Sequence, residues 1–243
     1  MPVWNPWHGC HKISAGCMHC YMFRGDAQRG ASRPSDEVHR TSAFNLPVRR
    51  DRSGGRKFPS GTHFWLCFTS DLLIEEADCW RDDIWQMIRL RYDCRFTFFT
   101  KRIERLASCL PDDWGDGYPN VAVGCTVENQ ECARRRLPVF LSLPIPHRMV
   151  MVEPMLEAVD LREYLATGLI EQVSAGGESG PGARPLDFEW VKDLYEQCRA
   201  AGVEFSFHQT GARFVKDGRD YAIPRELQHS QAERAMALLR AMR

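Results

Sequence analysis

Six short apolar runs, spaced by helical patterns, constrain this chain more than any other feature of it. They span residues 64–69, 96–100, 121–127, 148–152, 172–175 and 204–207. Nearly all of their residues are apolar or β-branched, as strands buried on both faces of a parallel sheet require. Between them lie helical stripes. Trp80, Ile84, Met87 and Ile88 make one, and Phe188, Val191, Tyr195 and Cys198 make a second that ends before Gly202, a suitable C-terminal stop. Ser230 and Glu233 form a capping box that predicts a final helix carrying Ala235, Leu238, Leu239 and Met242. Strands and helices alternating in this way predict an α/β chain, a partial (β/α) barrel with about six parallel strands, preceded by an N-terminal loop and closed by a C-terminal helix.

The chain has 243 residues, 44% of them hydrophobic, enough for the single core of one domain over 1–243. That domain divides into a loop at 1–23, a basic irregular excursion at 24–60, and the βα core with its C-terminal helix at 61–243. Lysine plus arginine equals aspartate plus glutamate at 32 each, so no global charge steers the molecule toward nucleic acid or membrane. The segment 24–57 is different, with nine basic residues against four acidic ones and little apolar periodicity. It reads as a long loop, mobile or clamped over a site, opened by a short helix at 21–29. No apolar run has the form of a signal peptide or the length of a spanning helix, so the expected location is the cytoplasm, with no membrane partner.

In a reducing compartment ten cysteines are thiols or metal ligands. Seven suit packing: Cys67 and Cys125 lie in strand-like runs, and Cys79, Cys94, Cys109, Cys132 and Cys198 in or beside helical patterns. The other three, Cys10, Cys17 and Cys20, crowd into eleven residues and resemble a metal site with one ligand missing. Three thiolates leave one iron of a four-iron cluster open, whereas a structural zinc closes all four positions, here with His8, His11 or His19 as the fourth ligand.

The ends of the expected strands read Ser70-Asp71, Lys101-Arg102, Glu128-Asn129, Glu153-Pro154, Gly176-Gly177-Glu178-Ser179 and His208-Gln209. In a parallel barrel these ends converge on the face where βα loops build active sites. Asp71 alone is equally a helix cap. The glycine-rich turn 176–184 has neither a P-loop ending nor a dinucleotide fingerprint, yet its backbone could approach a ligand closely.

These residues carry a resemblance. The W-N-P-x-x-G-C and C-x-x-C-Y opening, T-S-D-L, T-K-R-x-E-R, G-C-T-V-E-N-Q, V-E-P, G-G-E-S-G-P-G-A-R-P and I-P-R-E-L-Q-H resemble the phage gp thirty-seven/gp sixty-eight family, three-cysteine, radical-SAM-like proteins of unknown function. The match runs in order over 4–229. It implies a fold of radical SAM type. Cys10, Cys17 and Cys20 would hold a [4Fe–4S] cluster that binds S-adenosylmethionine, and an external donor of flavodoxin or ferredoxin type would supply the electron that releases a 5′-deoxyadenosyl radical. His19 would pack near the adenine, Ser70 and Asp71 would hold the methionine amino group, and Lys101 and Glu128 its carboxylate and the ribose. Gly176, Gly177 and Glu178 would line the adenosyl part. Glu153, Arg184 and His208 are the catalytic candidates, and phage association points to a nucleotide or nucleic-acid base as substrate. Six residues separate Cys10 from Cys17, against three in most such enzymes.

Two other readings stand beside this one. A barrel hydrolase would gather divalent metals with Asp71, Glu128, Glu153, Glu178 and His208 and carry a structural zinc knuckle. A non-catalytic zinc protein would bind nucleic acid through its basic segment.

Overall fold

The computed structural model describes residues 1–241. Its main strands are β1 (Val3–Trp4), β2 (His63–Leu66), β3 (Arg95–Thr100), β4 (Val121–Thr126), β5 (His147–Val152), β6 (Gln172–Gly176) and β7 (Glu204–Gln209). Its longer helices are α1 (Tyr21–Arg29), α2 (Asp78–Leu90), α3 (Gln130–Ser142), α4 (Phe188–Ala201) and α5 (Gln228–Ala241). The seven strands hydrogen-bond in simple chain order, β1 to β7. The registers of β1 with β2, β2 with β3, β5 with β6 and β6 with β7 are parallel. Sequential winding is that of a partial βα barrel, without the reversal of a doubly wound sheet.

The α/β class and the parallel series agree with the sequence reading, and the strand count is corrected from about six to seven. The added strand, β1, lies inside the stretch expected to be loop. It has two residues and is followed by Pro6, so no periodicity betrays it, but the Trp65 amide donates to Pro2 O at 3.1 Å and the Cys67 amide to Trp4 O at 3.0 Å. β2 ends earlier than the apolar run, because Cys67 adopts the left-handed region at φ 59°. The expectation of two buried faces is met along β3, β4 and β6, whereas β2 and β5 alternate buried with half-buried residues.

The chain packs as two compact units, Met1–Lys12 with Met22–Gly124 and Leu143–His147, and Ile13–Tyr21 with Cys125–Ser142 and Arg148–Arg243. In the first, Trp4, Phe64 and Phe96 form a buried ring cluster with centroids 5.4–6.5 Å apart, each pair contributing about 0.5–1.5 kcal/mol beyond its burial. The basic excursion is clamped here. The Trp4 indole donates to Ala43 O and Phe44 O at 3.1 and 3.0 Å, and the buried Arg91 guanidinium donates to Pro47 O, Phe58 O and Pro59 O. A two-stranded ribbon pairs Trp7–His8 with His39–Arg40.

In the second unit α4 has the expected ends: the Asp187 side chain caps Glu189 N, and Gly202 closes the helix at φ 69°. α5 begins at Gln228, two residues before the expected cap, and the Ser230 hydroxyl donates back to Leu227 O at 3.1 Å. Its buried face is Ala232, Ala235, Met236 and Leu239, while Leu238 is exposed and Met242 lies outside the described residues. Arg213–Lys216 and Arg219–Ala222 form a hairpin whose Asp217-Gly218 turn has both φ values positive, at 51° and 71°. Among the described residues no helix is long and apolar enough to cross a membrane.

Candidate functional site

The loop that carries the first cysteine is tied to the strand end after β2. The Gly9 amide donates to Thr69 O at 3.2 Å, the Ser70 hydroxyl donates to Gly9 O, and the Cys10 amide donates to Ser35 O at 3.0 Å. Gly9 has no room for a side chain, since a β-carbon would lie 2.6 Å from Glu37 O, and its φ is +99°. Beneath this loop the buried Asp71 carboxylate accepts from the Thr100 hydroxyl at 2.8 Å, from Lys101 N at 3.1 Å, from Leu73 N at 2.9 Å and from Arg102 Nη1 at 3.4 Å. Its oxygens are therefore committed to protein donors, and Ser70 is committed to the loop backbone.

Arg102, rather than Lys101, meets the first cysteine. Its Nη1 stands 3.7 Å from Cys10 Sγ and its Nη2 donates to His11 O at 3.1 Å. Burial alone would weaken the guanidinium charge, yet Asp71 and the Cys10 sulfur hold its pKa above the ordinary value. A fixed cation beside a sulfur is suited to balance a thiolate. The half-buried Lys101 ammonium makes no hydrogen bond or ion pair among the described residues. Two of the three histidines considered as zinc ligands are occupied at Nε2, His8 by Asp26 at 2.8 Å and His11 by Glu76.

In the second unit, Cys17 closes a single 3-10 turn, Ala15–Cys17, and Cys20 directly precedes α1. That turn is braced at consecutive residues. The Ser14 hydroxyl donates to Glu128 Oε1 and also lies 3.7 Å from Cys17 Sγ. Ala15 O accepts from Arg184 Nη2 at 2.9 Å. Gly16 rests on the Glu128 carboxylate so closely that a β-carbon would lie 2.8 Å from Oε1. Glu128 is held in turn by Arg136, whose Nη1 donates to Oε2 at 2.6 Å and to Thr126 O at 2.7 Å, and neither side chain has any exposure. Desolvation opposes the Arg136 charge, but Glu128 raises its pKa overall.

Glu178 and Arg184 form the second brace. Arg184 donates to Glu178 Oε2 from its backbone N and its Nε, both at 2.9 Å, and Nη2 reaches Oε1. Burial would raise the Glu178 pKa, and the Arg184 bonds, with His19 nearby, bring it below the usual range. The His19 ring faces the glycine-rich turn, where a β-carbon on Gly182 would lie 3.5 Å from its Cε1. Gly176 and Gly177 are glycines because protein groups press on them: a β-carbon on Gly176 would lie 2.9 Å from Glu153 Cδ, and one on Gly177 would collide with Thr210 O. Glu153 accepts from Ser174 Oγ at 2.7 Å and meets His208 Nδ1 at 3.2 Å, which raises the His208 pKa.

The second unit thus brings Glu128, Glu178 and Arg184 to the Cys17 turn, and pairs Glu153 with His208. The sequence reading did not name Arg136, and it named Arg102 only as part of a strand end, without a role. A buried arginine has no local signature, although Arg136 lies two helical turns beyond Glu128, on α3. All ten cysteines are free: six are buried, Cys10, Cys17 and Cys20 are half-buried, and Cys79 is exposed. Among the described residues no group of three or more histidine, cysteine, aspartate or glutamate side chains stands together as a metal-binding set.

A family described as a protein of unknown function (DUF5131) matches residues 2–237. The chain belongs to that family. No curated protein and no solved structure was found to match it. The DUF5131 match takes in all three clustered cysteines, every strand end described above and most of α5.

Proposed function

We propose that this DUF5131 protein is an iron–sulfur enzyme in which Cys10, Cys17 and Cys20 hold a [4Fe–4S] cluster with S-adenosylmethionine at the open iron. The observation that carries the reading is the brace on the Cys17 turn, where charged side chains from the strand ends hold Ser14, Ala15 and Gly16 in succession. Three free thiols fit such a cluster by donor type. In this reading cluster binding draws the thiols together, as metal binding does at sites that are not preformed. Held by Cys10, Cys17 and Cys20, such a cluster would supply one-electron reductive cleavage of S-adenosylmethionine and so the means of taking hydrogen from a substrate.

The chain's own residues would orient and protect. Arg102 balances thiolate charge at Cys10, and the unpaired Lys101 ammonium suits the methionine carboxylate. His19, beside the glycine-rich turn, offers a flat face to a base. His208, bonded to Glu153, can hold or pass a proton at its other ring nitrogen. Glu128, Glu178 and Asp71 act as supports for the cysteine loop instead of as direct contacts to ribose or amino group. The electron comes from an external donor of flavodoxin or ferredoxin type. The hydrolase reading is less well served, because Asp71, Glu128 and Glu178 are each engaged by an arginine.

Anaerobic reconstitution with iron and sulfide tests the reading. The expected product is a brown protein that releases 5′-deoxyadenosine when reduced with S-adenosylmethionine, and Cys17→Ala is expected to lose the colour while keeping its far-ultraviolet circular dichroism. A colourless protein that retains one zinc would overturn it, as would a Cys17→Ala variant that keeps its iron.

A further inference from the structure

In the first unit one face of the sheet is sealed and the other is open. Alternation along β2 and β3 sends Phe64 and Phe96 into the buried ring cluster with Trp4, and Phe98 against Trp85 of α2. The intervening His63, Trp65 and Phe99 lie on the opposite face and are only half-buried. Val3, the partner of Trp65 on β1, is 42% exposed.

The rings of this open face form a row. His63 stacks on Trp65 with centroids 4.6 Å apart and planes at 28°, Trp65 on Phe99 at 5.5 Å and 19°, and Phe99 on Phe68 at 6.2 Å and 27°. Two features hold the row in place. A β-carbon on Gly124 of β4 would collide with the Phe99 ring, so the neighbouring strand omits a side chain where that ring lies. Residue 68 would by alternation join Phe64 and Leu66 on the sealed side. Instead Cys67 adopts φ 59°, a costly angle for a residue with a β-carbon, and Phe68 joins the row, where it is 36% exposed. Strain that delivers an aromatic ring to the surface and not to the core marks a place for a flat partner.

The charge beside the row is positive. Arg95 is the Cα partner of His63, so its side chain leaves the same face. It is exposed and makes no side-chain hydrogen bond or ion pair among the described residues. Burial, with Arg95 alongside, holds the His63 pKa below its ordinary value, so the ring at this end of the row is neutral. Asp93, two residues before Arg95, binds Arg56 at 3.1 Å and ties the basic turn 50–57 to the same strand end. That turn exposes Arg52 and Lys57, whose side chains are likewise without hydrogen bonds or ion pairs among the described residues. Arg50, Arg52, Arg56, Lys57 and Arg95 outnumber Asp51 and Asp93 there. Flat rings next to cations match an anionic chain of flat groups, since bases stack on aromatic side chains and phosphates meet arginine and lysine. Four rings in a row are more than one base needs, which favours a strand over a single nucleotide.

We propose that the open face of β1–β3 binds single-stranded nucleic acid, its unpaired bases stacking on Trp65, Phe99 and Phe68 and its phosphates meeting Arg95 and the turn 50–57. The site stands on these residues alone. Only the further step, that one of the bases is the substrate of the proposed radical reaction, rests on that reading.

Fluorescence anisotropy of labelled DNA and RNA strands of about 12 nucleotides, within the ~4–16 covered by comparable surfaces, is measured on the full chain before any iron is supplied. Duplexes of the same sequence and the mononucleotides serve as competitors. The expected result is saturable binding of a single strand, about 10-fold tighter than of its duplex, the scale of one exposed base stack, and weakening as salt rises. Phe68→Ala, a change at an exposed side chain, should weaken it about 10-fold, and Trp65→Leu by at least as much. Arg95→Ala should lower the slope of affinity against salt by about one. Failure of both strands to bind at low salt overturns the proposal, and so does a Phe68→Ala protein that binds as the parent does. A duplex bound as tightly as the strand removes the stacked bases, an unchanged slope in Arg95→Ala removes the phosphate contact, and a mononucleotide that competes as well as the strand removes the strand. Each of these outcomes overturns the proposal. Because binding is read without iron, its failure leaves the iron–sulfur reading standing, and a colourless protein leaves this site standing.

Discussion

A β-carbon placed on Gly16 would lie 2.8 Å from Oε1 of Glu128 and 3.0 Å from its Cγ and Cδ, so the turn before Cys17 sits directly on a carboxylate from the end of β4. The carboxylate cannot retreat. It is fully buried and gripped by Arg136, and residue 16 is restricted to glycine by contact rather than by backbone angle.

Gly16→Ala is therefore expected to cost about 2 kcal/mol, the usual penalty for forcing an extra carbon into a filled space. It should also lower the iron retained per chain after reconstitution. Gly25→Ala is the control. Within α1 the added carbon would meet only the flexible end of Arg29 at 3.2 Å, and replacing a helical glycine gains up to about 1 kcal/mol. Chemical denaturation checks both, and equal effects would refute the contact.

Glu128→Gln removes the ionic partner of Arg136, a side chain with no exposure. A buried charge left without its counter-ion costs about 3–5 kcal/mol, so this variant should be the least stable of the series. A loss under 1 kcal/mol would show that the pair does not hold the turn.

The Glu178 pKa lies below the usual carboxylate range, so its pairing with Arg184 stabilises the fold above the unfolded value near ~4.3 and is lost as pH falls through the lower folded value. Arg184→Met should cost about 2 kcal/mol near neutrality, since a buried charged acceptor loses its donors. The difference from the parent should shrink in acid. Denaturation midpoints across pH read this directly, and a pH-independent difference would contradict it.

His208 has a raised pKa because it bonds Glu153. Protonated, it strengthens that contact, so the contribution is complete below the ordinary histidine value near ~6.5 and disappears as pH rises through the higher folded value. Proton NMR should find the His208 midpoint above ~6.5. In Glu153→Gln the midpoint should fall, and an unchanged midpoint would remove Glu153 as the cause.

Much of the framework was legible because buried parallel strands are written as continuous apolar runs, and six of seven were found that way. β1 was not, having only Val3 and Trp4 to show. Gly202 and Asp187 cap α4 by local chemistry that any reader of the chain can see, and Asp217-Gly218 is a hairpin signal that the same reading passed over. The charged strand ends were also visible, but not what they touch. Lys101 and Arg102 are adjacent in sequence and opposite in use, and only the packed structure shows that Arg102 turns to Cys10 and Asp71. Glycines 176 and 177 suggested room for a ligand. What the structure adds is that Glu153 and Thr210 occupy the space a side chain would need at each of them.

The burial of the cysteines has a practical consequence. Six thiols are buried in the interior, Cys79 is exposed, and the three candidate ligands lie between these extremes. A thiol-specific reagent applied to the native protein therefore carries its own calibration: Cys79 marks complete labelling, the buried six mark the intact fold, and any change on adding iron is read from the remaining three.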